Sequence, residues 1–233
     1  MRTFTEKKNL TVFRGRRRGR KLRPNLAKLL QDQSPNLLLE TELNQTKIAP
    51  LNLFPNIVDK VWLEIGFGAG EHIAWQAKNN PKIGFIGCEP FINGVASLVR
   101  HSVTQSLLNI RIFPDDVRPF LVKLPDQSID KLFILFPDPW PKRKHRNRRI
   151  IQISTLEEFH RILKPGAKFR IATDHPIYLK WIILHLNNCD GFQWLARRAQ
   201  DWRQRSSDWP QTRYELKAIT EGRTPTFLEY QRI

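Results

Sequence analysis

Cysteine is scarce in this chain. Two residues, Cys88 and Cys189, build neither a disulfide framework nor a cysteine-rich zinc site. That usage fits a reducing compartment, the cytoplasm. Cys88 stands in an apolar, strand-like run and reads as a small buried hydrophobe. The six histidines show no ligand spacing, so no metal is expected. No apolar run is long enough to span a bilayer, so no membrane partner is expected either. No apolar block follows the basic N-terminus, which argues against a secretory signal. Acid, finally, is nearly missing from two segments. Residues 1–23 hold ten Lys/Arg against one Glu, and residues 142–149 hold six Lys/Arg and no acid.

Those two clusters carry +9 and +6 of a formal net charge of +17, leaving +2 for the rest. A basic surface that served only solubility would spread its charge. Dense clusters on a near-neutral body point to phosphate contacts and make a nucleic acid the expected partner. The chain is otherwise that of a globular protein: 233 residues, 40% hydrophobic, with seven Trp and fourteen Phe, enough to bury a core.

The middle of the chain alternates between two periodicities. Short apolar runs at 61–65, 83–88, 110–113, 131–136 and 168–172 read as strands. Helical spacing falls between them at 71–78, 91–103, 149–163 and 176–186. Val95, Leu98, Val99 and Ser102 share one helical face; Ile150, Ile153, Leu156 and Ile162 share another, stopped by Lys164-Pro165-Gly166. Continuous apolar strands alternating with helices predict an α/β fold, a Rossmann-like, doubly wound, mostly parallel sheet. The first fifty residues and the stretch 199–222 break the rhythm and read as appendages. The expected organisation is a basic N-terminal extension and lead-in over 1–50 and one domain over 51–233.

In such a sheet, ligands gather beyond the carboxyl ends of the strands. The first strand is followed by Glu64-Ile65-Gly66-Phe67-Gly68-Ala69-Gly70, a turn that opens a helix. Glycines there let backbone approach a ligand closely. The second strand is followed by Glu89, placed to accept both hydroxyls of a ribose. The third is followed by Asp115-Asp116, which can meet an adenine amine or cap the next helix. A dinucleotide would want the helix N-terminus open to pyrophosphate. Here Glu64 and Glu71 bracket the turn and repel phosphate, and they suit the cationic S-adenosylmethionine instead. A dehydrogenase would want Tyr and Lys four apart; Tyr214 and Lys217 are three apart and outside the sheet region.

The segments LEIGFGAGEH, GCEPF, the Asp-Asp pair, FPDPWPKRKHRNRR, ATDHPIYLKW and TRYELKA together resemble the bacterial tRNA (guanine-N7-)-methyltransferase family, within the class I S-adenosylmethionine-dependent methyltransferases. The likeness runs from Arg14 onward, and its specific parts are the DPWPK segment and TRYE. GRRRGRKLRPN and GRTPTFLEY resemble the alphaproteobacterial branch. The resemblance implies methylation of guanine 46 in the tRNA variable loop, with S-adenosylmethionine as donor. It implies cofactor contacts at Glu64, Gly66, Gly68, Gly70, Glu89, Asp116 and Asp138, and substrate contacts at Lys142, Asp174, Thr212, Arg213, Tyr214 and Glu215. Asp138 matches the position given a catalytic role.

The chemistry makes the pattern intelligible. Guanine N7 is an exposed lone pair on the Hoogsteen edge and carries no proton. No general base is needed, so His175 is not expected to act as one. In Asp138-Pro139-Trp140-Pro141 the two prolines are expected to hold the carboxylate and the indole in place, and Asp138 to orient the base through its N–H groups and to stabilise positive charge arriving on the purine. Trp140 either stacks on the base or packs under the loop. The cations from Lys142 to Arg149 are expected to hold flanking phosphates; cations at a helix N-terminus would otherwise be unfavourable. Two other readings share part of this pattern: a methyltransferase acting on ribosomal RNA or protein, and a tRNA-binding module that has lost catalysis.

Overall fold

The computed structural model describes residues 15–39 and 46–233. Its centre is a seven-stranded sheet made of β1 (Lys60–Ile65), β2 (Ile83–Cys88), β3 (Ile110–Phe113), β4 (Ile129–Leu135), β5 (Leu163–Thr173), β6 (Phe192–Trp194) and β7 (Thr226–Arg232), in the order β3-β2-β1-β4-β5-β7-β6. The five expected strands are the five parallel ones. β7 runs antiparallel between β5 and β6, which completes the mostly parallel sheet.

Among the described residues the α-helices are α1 (Pro24–Leu37), α2 (Glu71–Asn79), α3 (Ile92–Thr104), α4 (Val117–Leu121), α5 (Ile153–Ile162), α6 (Pro176–Asn187), α7 (Gln200–Arg203) and α8 (Arg213–Thr220). Both faces of the parallel strands are covered, so those strands are mainly apolar; β2 and β4 are buried over most of their length. Val95, Leu98, Val99 and Ser102 of α3 are all buried, as their spacing predicts.

α5 departs from expectation. It starts at Ile153, not at Arg149, under a capping box in which Gln152 and Thr155 satisfy each other's backbone. Its buried face is Thr155, Leu156, Phe159 and Ile162, while Ile153 is exposed. The basic run forms a separate 3-10 turn over Arg143–Arg148. It is therefore not the first turn of a helix, and the helix-dipole argument for its charge does not apply.

The lead-in is packed on the domain. Leu39 N–H donates to Ile112 C=O at 2.8 Å, and Leu37, Leu39 and Ile48 are buried in the core. Residues 1–14 of the basic extension lie outside the described residues.

The strand order reverses between β1 and its two neighbours β2 and β4. That switch point puts the segments after β1, β2 and β4 around one crevice. Among the described residues, no helix is long and apolar enough to cross a membrane, and no group of His, Cys, Asp or Glu is placed to hold a metal ion.

Candidate active site

The turn after β1 is built on three glycines in the left-handed region, with φ of 74°, 57° and 80° at Gly66, Gly68 and Gly70. A Cβ at Gly66 or Gly68 would meet nothing within 4 Å, so the turn faces open space. A Cβ at Gly70 would strike Leu98 at 2.8 Å, which gives Gly70 a packing role between α2 and α3. Gly94 on α3 completes the arrangement. Its Cβ would lie 2.2 Å from the Gly68 carbonyl oxygen, so α3 can meet the turn only without a side chain there. Nothing in the sequence around Gly94 marks it, because the demand is made by a residue 26 positions earlier.

Two crevices flank this turn. The first, about 360 Å³, is lined by Gly66, Gly68, Glu89, Asp116, Phe136, Asp138 and Trp140, among others. Glu89 is buried at its base; Oε2 accepts from Gly68 N–H and Oε1 from Phe91 N–H, both at 2.9 Å. Burial pushes its pKa up to about 7, a rise that these hydrogen bonds limit. Asp116 caps α4 through Arg118 N–H at 3.1 Å and pairs with the Arg118 guanidinium at 2.8 Å. Its expected capping and its place in the crevice thus coexist. Arg16 of the basic extension also lines this crevice, and neighbouring Arg17 pairs with Asp115 at 2.6 Å. The charge pattern of the sequence assigns Arg16 to RNA alone and gives no sign of this placement.

The second crevice, about 400 Å³, is lined by Glu64, Gly66, Gly68, Glu71, His72, Phe136, Thr212, Arg213, Tyr214 and Lys217, among others. Glu64 opens here, not into the first crevice, and accepts from His72 Nδ1 at 2.7 Å. Thr212 caps α8 by accepting from Glu215 N–H at 3.2 Å. Arg213 is tied to Glu71 through both its backbone N–H and its side chain. The rings of Tyr214 and Phe136 lie 5.1 Å apart and form an aromatic wall. Glu215 is buried and accepts from Arg205 Nε at 3.0 Å. Asp174 is also buried and does not cap α6; it pairs with Arg223, whose guanidinium lies over the Tyr214 ring. Three of the four TRYE residues thus border the crevice, and the fourth braces them.

Between the crevices arches Phe136-Pro137-Asp138-Pro139-Trp140. Both ends are in the left-handed region, φ 50° at Phe136 and 40° at Trp140, which disfavours residues with a Cβ by about 1–2 kcal/mol each. Phe136 N–H is held by Ala172 C=O at 2.8 Å. The other end is held by Arg149, whose Nε donates to Pro139 C=O at 2.8 Å and whose Nη2 donates to Trp140 C=O at 3.2 Å. The Arg149 guanidinium is buried against Tyr178 and Trp181. Arg149 therefore leaves the set of cations expected to grip phosphate and becomes the strut of the arch. Trp140 packs under Arg148, with the guanidinium 4.9 Å from its ring centre.

Asp138 stands exposed on this arch and, among the described residues, has no hydrogen-bond or ion-pair partner. Partial desolvation raises its pKa. Lys142, Arg143, Lys144 and Arg146 follow directly, all exposed and with no acid paired to them among the described residues.

A family model described as "Putative methyltransferase" matches residues 59–228. The tRNA (guanine-N(7)-)-methyltransferase of Paramagnetospirillum magneticum is 47% identical over 221 residues, covering 94% of this chain and 92% of that protein. The protein of the same name from Agrobacterium fabrum is 44% identical, covering 95% of each. The chain belongs to the tRNA (guanine-N(7)-)-methyltransferase family. Two solved structures share its fold. An rRNA methylase from Streptococcus thermophilus is 10% identical, with a TM-score of 0.52 over 75% of this chain and 87% of that one. TrmN from Thermus thermophilus is 18% identical, with a TM-score of 0.53 over 79% of this chain and 47% of that one.

The close approach of turn and helix is open to test. Gly94→Ala should lower stability by about 1–3 kcal/mol, because its methyl group meets backbone that cannot swing aside. Ser97→Ala, half-buried on the same helix, should change it by about 0.5 kcal/mol or less. Urea unfolding measures both; equal midpoints would remove the steric argument.

Proposed function

We propose that this enzyme transfers a methyl group from S-adenosylmethionine to N7 of a guanine in tRNA, at position 46 of the variable loop. The observation that carries the reading is Asp138. It is an unpartnered carboxylate between a nucleoside-sized acidic crevice and an aromatic-walled one, with four unpaired cations immediately downstream among the described residues.

The residues suit the donor. Gly66 and Gly68 leave room for backbone approach, and Glu89 and Asp116, which line the first crevice, are the acids that would receive the ribose hydroxyls and the adenine amine. Glu64, in the second crevice, offers negative charge to an ammonium. S-adenosylmethionine supplies an electrophilic methyl group on a sulfonium sulfur. With the donor bound, the N7 lone pair would form the new C–N bond as the C–S bond breaks, and the electron pair of the C–S bond would stay on sulfur. Positive charge thereby moves onto the purine, and no proton has to leave N7.

The protein's task is alignment and charge stabilisation. Asp138 accepts from the guanine N–H groups and holds N7 toward the methyl carbon. Its carboxylate faces the cation that develops on the ring. Phe136 and Tyr214 hold the base plane in the second crevice, and Tyr214 is kept in place by the Arg223–Asp174 pair. Lys142, Arg143, Lys144 and Arg146 receive phosphates beside the target nucleotide.

The decisive experiment is incubation with unmodified tRNA and methyl-labelled donor, followed by nucleoside analysis and mapping. The expected product is 7-methylguanine in the variable loop. Asp138→Ala should abolish it while donor binding measured by calorimetry persists at least in part. Another methylated base, or undiminished turnover in the variant, would overturn the reading.

Glu89 makes donor affinity depend on pH. With a pKa of about 7 in the free protein, its ionised fraction rises as pH climbs through that value. Two ribose hydroxyls donate better to a carboxylate than to a carboxylic acid. Affinity should therefore increase about tenfold from pH 6 to pH 8 and then level off. Glu89→Gln should bind weakly with a flat profile, measured by calorimetry; a wild-type profile that falls with pH would contradict the assignment.

Replacing Lys142, Arg143, Lys144 and Arg146 together by Ala should weaken tRNA binding. The slope of log affinity against log salt should flatten by about 0.7–0.9 for each phosphate no longer neutralised. Fluorescence titration over a salt series measures it, and an unchanged slope would separate these residues from the RNA backbone.

A further inference from the structure

A buried chain of hydrogen bonds runs behind Glu64. Its direction is set by an atom that can only accept. The Asp208 backbone carbonyl lies 2.8 Å from Gln76 Nε2, so the Gln76 amide nitrogen must face it. Asn80 Nδ2 lies 3.4 Å from Gln76 Oε1 and agrees with that orientation. The same Gln76 nitrogen lies 3.2 Å from His72 Nε2. An amide NH2 group donates twice and accepts nothing. His72 Nε2 must therefore be the acceptor and carry no proton. The ring proton is then on Nδ1, which donates to Glu64 Oε2 at 2.7 Å. An imidazolium would set one N–H against another at Gln76.

The hydrogen-bonded network is buried at the edge of the second crevice: His72, Gln76 and Glu64 are 2%, 3% and 3% exposed. The His72 ring is fixed by Phe133, with centres 4.7 Å apart, and by Trp209 at 5.7 Å. Other charges nearby are already engaged. Glu71 holds Arg213, and the Asp208 carboxylate holds Arg170.

We infer that His72 is a positioning residue, locked by Gln76 as the neutral Nδ1–H tautomer, which aims the Glu64 carboxylate into the second crevice and leaves its negative charge available to a cationic ligand head. The ligand part of this inference rests on the proposed function, since the cation it serves is the amino-acid end of S-adenosylmethionine. The chain begins in the segment that carries Thr212 and Tyr214. A backbone carbonyl on the substrate side thus sets the protonation of a ring on the donor side.

Two measurements test it. Nitrogen-15 correlation spectra of the free wild-type protein at pH 7.5 should show His72 protonated on Nδ1 alone. A ring protonated on Nε2, or on both nitrogens, would overturn the inference even if catalysis is as proposed. The second measurement is donor affinity by calorimetry. Asn places its amide nitrogen near the site of Nδ1, whereas Gln places it near Nε2. His72→Asn should keep S-adenosylmethionine affinity within about threefold, and His72→Gln should lose about tenfold, the weight of one hydrogen bond to a charged group. A residue that only filled space would not distinguish the two, so equal affinities would also overturn it. Absence of any donor binding by wild type would instead strike the proposed function and its ligand, leaving the spectrum to decide the hydrogen-bond chain.

Discussion

A carboxylate taken out of water must be met by donors or it will not stay ionised, and this constraint organises the ligand edge of the sheet. β1, β2 and β5 each deliver an acid that is buried, and so does the segment after β3. Each is met differently. Glu64 has the His72 ring, Glu89 has two backbone N–H groups, Asp116 has Arg118 with an N–H, and Asp174 has Arg223. Asp138, after β4, is the exception. It stands exposed on a strained arch with no partner among the described residues. Four acids are committed to holding shape or waiting for a ligand that can replace solvent. One is left without a partner among the described residues, at the place where two crevices adjoin, and the proposed function gives it to the substrate.

The arch that carries Asp138 needs explanation, because two residues with side chains adopt left-handed backbone within five positions. Such conformations persist only when surrounding structure over-determines them. Here the over-determination comes from Arg149. Its planar fork can hold two carbonyls at once while its face rests on Tyr178 and Trp181. A lysine could supply charge but not this paired geometry. The last residue of a basic run is thereby separated in function from the four exposed ones before it.

That separation marks the limit of sequence reading. The five parallel strands follow from short continuous apolar runs, the buried face of α3 from the 3.6 period and the acids from their place just after the strands, and all are legible. Arg149 looks like its neighbours in sequence; only Tyr178 and Trp181, some thirty residues on, remove it from solvent. Gly94 is demanded by Gly68, and the tautomer of His72 by Asp208. Each is a long-range requirement with no local trace. The lead-in reads as an appendage because α1 is polar along most of its length and contains Pro35, yet Leu37 and Leu39 carry it into the core. β7 is equally hard to see in sequence, because it follows a stretch without rhythm and pairs antiparallel with β5.

Methyl transfer to a lone pair asks little of acid–base chemistry and much of alignment, so the two crevices must hold a fixed relation to each other. One helix supplies it. α2 begins at the glycine turn that borders both crevices. Glu71 in its first turn grips Arg213, His72 meets Glu64 on one side and Trp209 on the other, and Gln76 reaches the Asp208 backbone. The segment bearing Thr212 and Tyr214 is thus fastened to the same short helix that follows the glycine turn. The irregular stretch before α8 needs no regular structure of its own, because its register is set by these contacts. The precision that the reaction requires is located in a nine-residue helix with the glycine turn, the proposed donor site, at its N-terminus and the proposed substrate loop along its flank.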